Sequence, residues 1–320
     1  MSATLPLDSQ STALLALGHA LQRADYRFVT VTPATHARVL QRDAARGNAE
    51  AQTVRDVFGW NKRFRPELLA SEMLDCMQRA GALEPDGSLL RAAVRFSTLG
   101  DRLFVHSPFP TAAEDAVFFG PDTYRFCAYV RRAAQAAHRI ADVGCGTGAG
   151  GISLAGKPQR LVLSDINQRA LRFAQVNVAL AGVQAEVVQS DLLRDVTGEF
   201  DLIVANPPYM QDSDERTYRH GGGAFGEGLS ARIVAECLPR LTDGGSLLLY
   251  TGAPVVEGID RFEASLRPAL TEFESAGRRQ LTTVYEELDP DVFGEELSLP
   301  AYAKVERIAA VGLMVRVSAR

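Results

Sequence analysis

The sequence is poor in the features that would narrow its reading at once. Its 320 residues hold 4 cysteines and 1 tryptophan. Cys76, Cys127, Cys145 and Cys237 are scattered, with no C-x-x-C pair and no Cys/His spacing. That argues against a zinc site and a disulfide framework, and for reduced, mostly buried thiols. No apolar run approaches the roughly 20 residues that span a bilayer. The opening stretch MSATLPLDSQSTALLALG has neither the basic start nor the small-residue cleavage site of a signal peptide. The expectation is a cytoplasmic protein with no membrane contact and no metal. A dominant charge is missing too. Residues 1–110 carry 13 Lys and Arg against 11 Asp and Glu, a balance of +2, and residues 111–320 carry 21 against 28, a balance of −7. This falls far short of the basic stripe that marks duplex nucleic-acid binding. What remains is an ordinary globular composition, 46% hydrophobic and 23% charged, in a chain long enough for a core domain and an accessory domain.

The texture changes near residue 110. STALLALGHALQRAD (11–25), THARVLQRDAARG (35–47) and RPELLASEMLDCMQRAG (65–81) have helical apolar spacing. SLLRAAVRFSTLGDRLFVHS (88–107) reads as two short strands around a turn at Leu99-Gly100-Asp101. Helices followed by a strand pair suggest a small helical, winged-helix-like module over 1–110, with PFPTAAEDA (108–116) as the linker out of it. Over 111–320, strand and helix signals alternate, the pattern of a parallel sheet with crossover helices. Strands are expected at 139–145, 160–166, 185–191, 200–206 and 245–253. The last two, 281–288 and 307–317, lack a strong helix between them and should pair as an antiparallel ribbon at one sheet edge.

DVGCGTGAGG (142–151) sits where a strand gives way to a helix, and Gly144, Gly146 and Gly148 let backbone approach a ligand without Cβ clashes. On its own this is a weak signal, shared with plain glycine-rich turns. Asp142 lies just ahead of it and Asp165 closes the next strand, where a carboxylate can accept both hydroxyls of a ribose. A dinucleotide or a nucleoside fits that pattern equally.

D-V-G-C-G-T-G-A-G-G, then L-S-D-I, Q-S-D-L and V-A-N-P-P-Y in that order, resemble the class I S-adenosylmethionine-dependent methyltransferases over residues 118–318. The resemblance implies an α/β fold, a Rossmann-like seven-stranded sheet with its last strand antiparallel. It also implies S-adenosyl-L-methionine as cofactor and S-adenosyl-L-homocysteine as product. Carried over by position, Gly144, Cys145, Gly146, Thr147 and Gly148 would hold the methionine part, with Asp142 behind them. Asp165 and Ile166 would hold the ribose side, and Asp191 with Leu192 the adenine edge. Asp191 also reads as a plain helix cap.

Asn-Pro-Pro-Tyr has a chemical logic of its own. A methyl group on a sulfonium must be met by a nitrogen lone pair, yet in an amide or aromatic amine that pair is delocalised. The amide oxygen of Asn206 and a carbonyl at Pro207 can each accept one N–H of the target NH2, aiming its lone pair at the methyl. The prolines fix the carbonyl's direction, and Tyr209 can stack on the planar group. The competing reading is a strand stopped by Pro-Pro beside a half-buried ring. HemK-type glutamine methyltransferases and nucleic-acid amino methyltransferases share the motif. VFFGPDTYRF (117–126) and GGGAFGEGLSARI (221–233) resemble segments of the glutamine group, whereas the N-terminal module is unlike the five-helix bundle of the release-factor enzymes.

Phe118, Phe119, Asp122, Thr123 and Tyr124 then read as a flap over the cofactor, with Phe119 and Thr123 touching it, or as plain packing. His220 could reach substrate or be merely solvated. Trp60 to Arg65 mixes rings and cations as single-strand nucleic-acid sites do, or forms a loop with two anchoring aromatics. LDPDVFGEEL (288–297) could be a substrate-side lid. The sequence thus points to an N-methyltransferase with Asn206, Pro207 and Tyr209 as its catalytic residues and Asn206 also against the cofactor. A protein glutamine-type amide is favoured as acceptor over a nucleobase amine of RNA or DNA and over a small-molecule amine. A degenerate cofactor-binding module is the non-enzyme rival.

Overall fold

The computed structural model describes residues 7–156, 160–210, 221–276 and 279–318. The first part holds α1 (Ser9–Arg23), α2 (Pro33–Ala45), α3 (Val54–Phe58) and α4 (Ser71–Arg79). Two hairpins follow, β1 (Leu83–Asp86) with β2 (Leu89–Ala92), and β3 (Arg95–Leu99) with β4 (Arg102–His106). α1 starts where the Asp8 carboxylate accepts the Ser11 N–H at 2.6 Å, and it buries the stripe Leu14, Leu17 and Leu21.

Two expectations need correction here. The helix expected from residue 65 begins at Ser71, because Phe64 is drawn into extended pairing with Leu90, donating and accepting at 2.9 Å, and Pro66–Leu68 forms only a 3-10 turn. The expected strand pair over 88–107 is three strands, not two. Its first strand turns back at Gly87 onto β1, whose Pro85 removes one ladder donor.

In the second part α5 (Pro121–Ala133) leads into β5 (Arg139–Val143), α6 (Ala149–Leu154), β6 (Arg160–Asp165), α7 (Gln168–Leu180), β7 (Ala185–Gln189) and β8 (Phe200–Ala205). After α8 (Gly228–Cys237) come β9 (Leu241–Val256), the two-residue β10 (Ile259–Asp260), α9 (Arg261–Ser275), β11 (Leu281–Asp289) and β12 (Arg307–Val317). The sheet order is β11-β12-β9-β8-β5-β6-β7, with β10 paired off the path to β9. β5 to β9 run parallel, and the last strand, β12, runs antiparallel to β9 and to β11. The Rossmann-like, mostly parallel sheet is therefore as the sequence implies. Its central strand β5 is buried from Ile140 to Val143, as a strand covered on both faces must be.

α7 joins the two parts. Ala174 and Val178 face the sheet, whereas Ala170, Phe173, Val176 and Leu180 belong to the apolar cluster that contains α1, α4 and the first hairpins. At the centre of this contact the buried amide of Asn177 accepts the Val105 N–H at 2.8 Å and donates to the Val105 carbonyl at 3.1 Å and the Thr147 carbonyl at 3.0 Å. One side chain thereby ties the β3–β4 hairpin to the glycine loop. Among the described residues, no helix is long and apolar enough to cross a membrane.

Candidate active site

The glycine loop leaves β5 with Gly144, Gly146 and Gly148 at φ +64°, +53° and +75°. Left-handed backbone costs an L side chain about 1–2 kcal/mol. At Gly146 a Cβ would meet nothing within 4 Å, so bare backbone there faces open space. Asp165 braces the loop, accepting the Gly146 N–H on Oδ2 at 2.8 Å and the Asn167 N–H on Oδ1 at 2.9 Å. Each oxygen keeps a second lone pair for another donor. Burial raises the Asp165 pKa, opposed by the N–H groups of Asn167, Gly146 and Ile166. Asp142 accepts the Gly151 N–H at 2.7 Å. Its burial pushes the carboxyl up to about 7, against that bond and helped by the nearby Asp165 charge.

One cavity of about 570 Å³ runs from this loop to Asn206, Pro207, Pro208 and Tyr209 at the end of β8. Its wall includes Thr123, Asp142, Gly144, Cys145, Gly146, Thr147, Asp165, Ile166, Asp191, Leu192, Asn206, Pro207 and Tyr209. Phe119 and Gly148 are not on it. Phe119 stacks on His106 at 5.2 Å between centroids and meets Tyr124 edge-on at 5.4 Å, while Phe118 takes the wall position. The two lie in the irregular segment just before α5, Phe118 on the cavity wall and Phe119 in the core cluster. Gly148 closes the loop from behind, against Leu163 and Ile152.

At the other end the Asn206 side chain is half-buried and makes no hydrogen bond to any described residue. Tyr209 is buried, and its hydroxyl donates to Asp122 Oδ2 at 2.8 Å. The backbone behind it is held by the glycine-rich segment. The Gly221 N–H donates to the Met210 carbonyl at 2.9 Å, and a Cβ on Gly226, at φ +101°, would stand 2.2 Å from the Tyr209 carbonyl oxygen. His220 and residues 211–219 lie outside the described residues.

Asp191 reaches the cavity already engaged, its Oδ2 accepting from Arg232 at 2.6 Å and facing Arg194 at 2.7 Å. Arg232, which also lines the cavity, lowers the Asp191 pKa by this bond and its charge. No helix starts at Asp191, so a capping role is set aside. Two bulky residues on the wall, Leu192 and Phe293, adopt left-handed backbone at φ 55° and 58°, a conformation that costs on the order of 1 kcal/mol or more. Sequence reasoning missed Arg232, Tyr250 and Gly252 altogether. Among the described residues, no group of His, Cys, Asp and Glu is arranged to hold a metal ion.

In the Trp60 to Arg65 stretch the rings, Asn61 and Lys62 are engaged within the fold, and Arg63 and Arg65 are exposed. Trp60 meets Phe28 edge-on at 5.2 Å, Asn61 donates to the Ala92 carbonyl at 2.8 Å and Phe64 is fully buried. Lys62 pairs with Asp43 at 2.8 Å and Arg65 with Glu50 at 3.2 Å.

The mostly parallel sheet with its antiparallel last strand is that of the Rossmann-like methyltransferase fold. The fold is shared with a putative transferase from Pyrococcus horikoshii, at TM-score 0.51 and 13% identity over 78% of this chain and 83% of that one. It is shared also with TYW2 of M. jannaschii, solved in complex with AdoMet, at TM-score 0.50 and 14% identity over 71% and 87%. Residues 130–255 match the family described as the methyltransferase small domain. Over 151 residues the chain is 36% identical to a release factor glutamine methyltransferase of Deinococcus radiodurans, covering 42% of this chain and 54% of that protein. It is 32% identical over 117 residues to ribosomal RNA small subunit methyltransferase C of Serratia proteamaculans, covering 36% and 31%. A putative protein N5-glutamine methyltransferase of Methanocaldococcus jannaschii is 34% identical over 113 residues, covering 33% and 57%. The chain thus spans about a third to a little over half of the curated relatives it matches.

Proposed function

We propose that this protein is an S-adenosylmethionine-dependent N-methyltransferase acting on a planar NH2 group. In this reading residues 1–110 form a winged-helix-like accessory part and residues 111–320 the catalytic part. The observation that carries the proposal is a single cavity with bare glycine backbone at one end and, beside a rigid Pro-Pro at the other, the Asn206 amide, which makes no hydrogen bond to any described residue. The wall fits the cofactor on its own chemistry. Asp165 keeps lone pairs for ribose hydroxyls, Ile166 leaves an apolar side chain 53% exposed next to it, and Gly144 and Gly146 leave room where side chains would stand. Asp191 keeps Oδ1 for the adenine edge.

The cofactor supplies an electrophilic methyl group. The chain's own residues do the rest. Asn206 Oδ1 and the Pro207 carbonyl each accept an N–H of the acceptor, which draws its lone pair out of conjugation and aims it. Tyr209 borders the acceptor's planar face. No base is needed before transfer; the proton leaves the alkylated nitrogen afterwards.

The favoured acceptor is a protein glutamine-type amide. Two relatives named for glutamine methylation support it, as does the engagement of Trp60 and Lys62 within the fold. A nucleobase amine is the second reading, favoured by the ribosomal RNA methyltransferase relatives. The first test is calorimetric titration with S-adenosylmethionine and S-adenosylhomocysteine. Saturable binding at one site is expected, and a flat titration with both would refute the proposal. Weak response of substrate binding to salt favours the amide, because contacts to phosphates weaken steeply as salt rises.

A further inference from the structure

Asp122 lies in the first turn of α5, 5% exposed, and is the partner of two tyrosines from distant parts of the chain. Tyr209 Oη donates to Oδ2 at 2.8 Å and Tyr250 Oη to Oδ1 at 3.0 Å. Arg125 Nη1 donates to the same Oδ1 at 3.2 Å, and its other end reaches Asp289 at 3.0 Å. Burying a carboxylate is costly, and a well-packed apolar group in its place would serve stability as well or better. What the carboxylate adds is direction. The Tyr209 ring is held at its hydroxyl by Asp122 and packs against Gly252, where a Cβ would come within 2.3 Å of the ring. Phe293 meets it edge-on at 6.0 Å and 62°. Tyr209 is at the same time part of the cavity wall.

Arg125 extends the same arrangement. Asp289, the end of β11, stands four residues before Phe293, and Val292 is fastened by its N–H to the Ile308 carbonyl at 2.8 Å. The support of Tyr209 and the root of the segment that carries Phe293 are therefore linked through one guanidinium.

We propose that Asp122 is a positioning residue that sets the Tyr209 ring against the acceptor's planar face, and that Arg125 ties this setting to the Phe293 segment. The role rests on the methyl-transfer reading above. Its direct consequence, the orientation of a ring, can be read without any acceptor.

The test uses the full chain labelled with 3-fluorotyrosine. The fluorine resonance of Tyr209 is assigned by its loss in Tyr209→Phe. In Asp122→Asn that resonance moves or splits. Methyl transfer from tritiated S-adenosylmethionine into cell extract falls about ten-fold or more, while the KM for S-adenosylmethionine changes less than about three-fold. Arg125→Gln, at a half-exposed position, moves the same resonance less and lowers transfer a few-fold. It keeps the test open where Asp122→Asn does not fold. An unmoved Tyr209 resonance, or a turnover loss matched by an equal loss of cofactor affinity, overturns the assignment. Absence of label with the wild-type chain instead overturns the methyl-transfer reading, so the two failures are distinct.

Discussion

At its glycine-loop end the cavity takes seven wall residues from one stretch between Asp142 and Gly150, braced by Asp165 from the neighbouring strand. At the Asn-Pro-Pro-Tyr end the wall and its supports come from five separated places: Asp122 on α5, residues 206–210, the glycine segment at 221–226, Tyr250 and Gly252 on β9, and Phe293. The first end offers backbone and asks only that nothing intrude. The second must hold side chains and a carbonyl at fixed angles, and long-range contacts supply that rigidity. Binding a common cofactor and aiming a particular acceptor are thus divided between local and assembled structure.

The sharpest break of this comparison is at Asn206. Asn206→Ala removes an acceptor present only at the assembled end, and methyl transfer should fall about a hundred-fold with cofactor affinity nearly retained in calorimetry. Retention of transfer within a few-fold contradicts the lone-pair account. Asn177→Ala comes next, because it orphans the Val105 N–H and the Val105 and Thr147 carbonyls. Denaturant unfolding should show a loss of about 2–3 kcal/mol, with weakened cofactor binding through the glycine loop. Two glycine changes then separate the ends. Gly146→Ala should weaken S-adenosylhomocysteine binding about ten-fold through left-handed strain of about 1–2 kcal/mol. Gly226→Ala, by pressing on the Tyr209 carbonyl, should reduce transfer more than binding. Equal effects of both changes on both readouts would erase the distinction.

A further expected effect is electrostatic and confined to a pH window. Asp142 is raised from 3.8 to about 7 by burial, so the folded state favours its protonated form. Its contribution to stability is full below about pH 4 and is lost as pH rises to about 7. In Asp142→Asn the melting temperature should lose that part of its decline over this window. A decline identical to wild type would show that Asp142 titrates normally.

How much of this was legible in the sequence follows the same division. The glycine loop, Asp165 and Asn-Pro-Pro-Tyr are contiguous words at strand ends, and β5 to β9 are apolar runs of strand length, so both were readable. β1 was not, because LEPD holds a proline and two acids and becomes a strand only by pairing with β2. Phe118 and Phe119 show a finer limit. Adjacent rings go one to the cavity and one to the core, and nothing local says which ring faces which way. The segment after Asn-Pro-Pro-Tyr could be matched by resemblance, but the reason for its glycines is the approach of Gly226 to the Tyr209 backbone. The partners of Asp122, 87 and 128 residues away, carry no local signal at all.

Methyl transfer to a planar NH2 held by Asn206 and Pro207 can be read by incubating the protein with tritiated-methyl S-adenosylmethionine and cell extract, followed by parallel protease and nuclease digestion, with Asn206→Ala as control. The expected label depends on Asn206, is released by protease and survives nuclease. Label released by nuclease would contradict the amide acceptor, and label equal in the wild-type and Asn206→Ala reactions would contradict the mechanism itself.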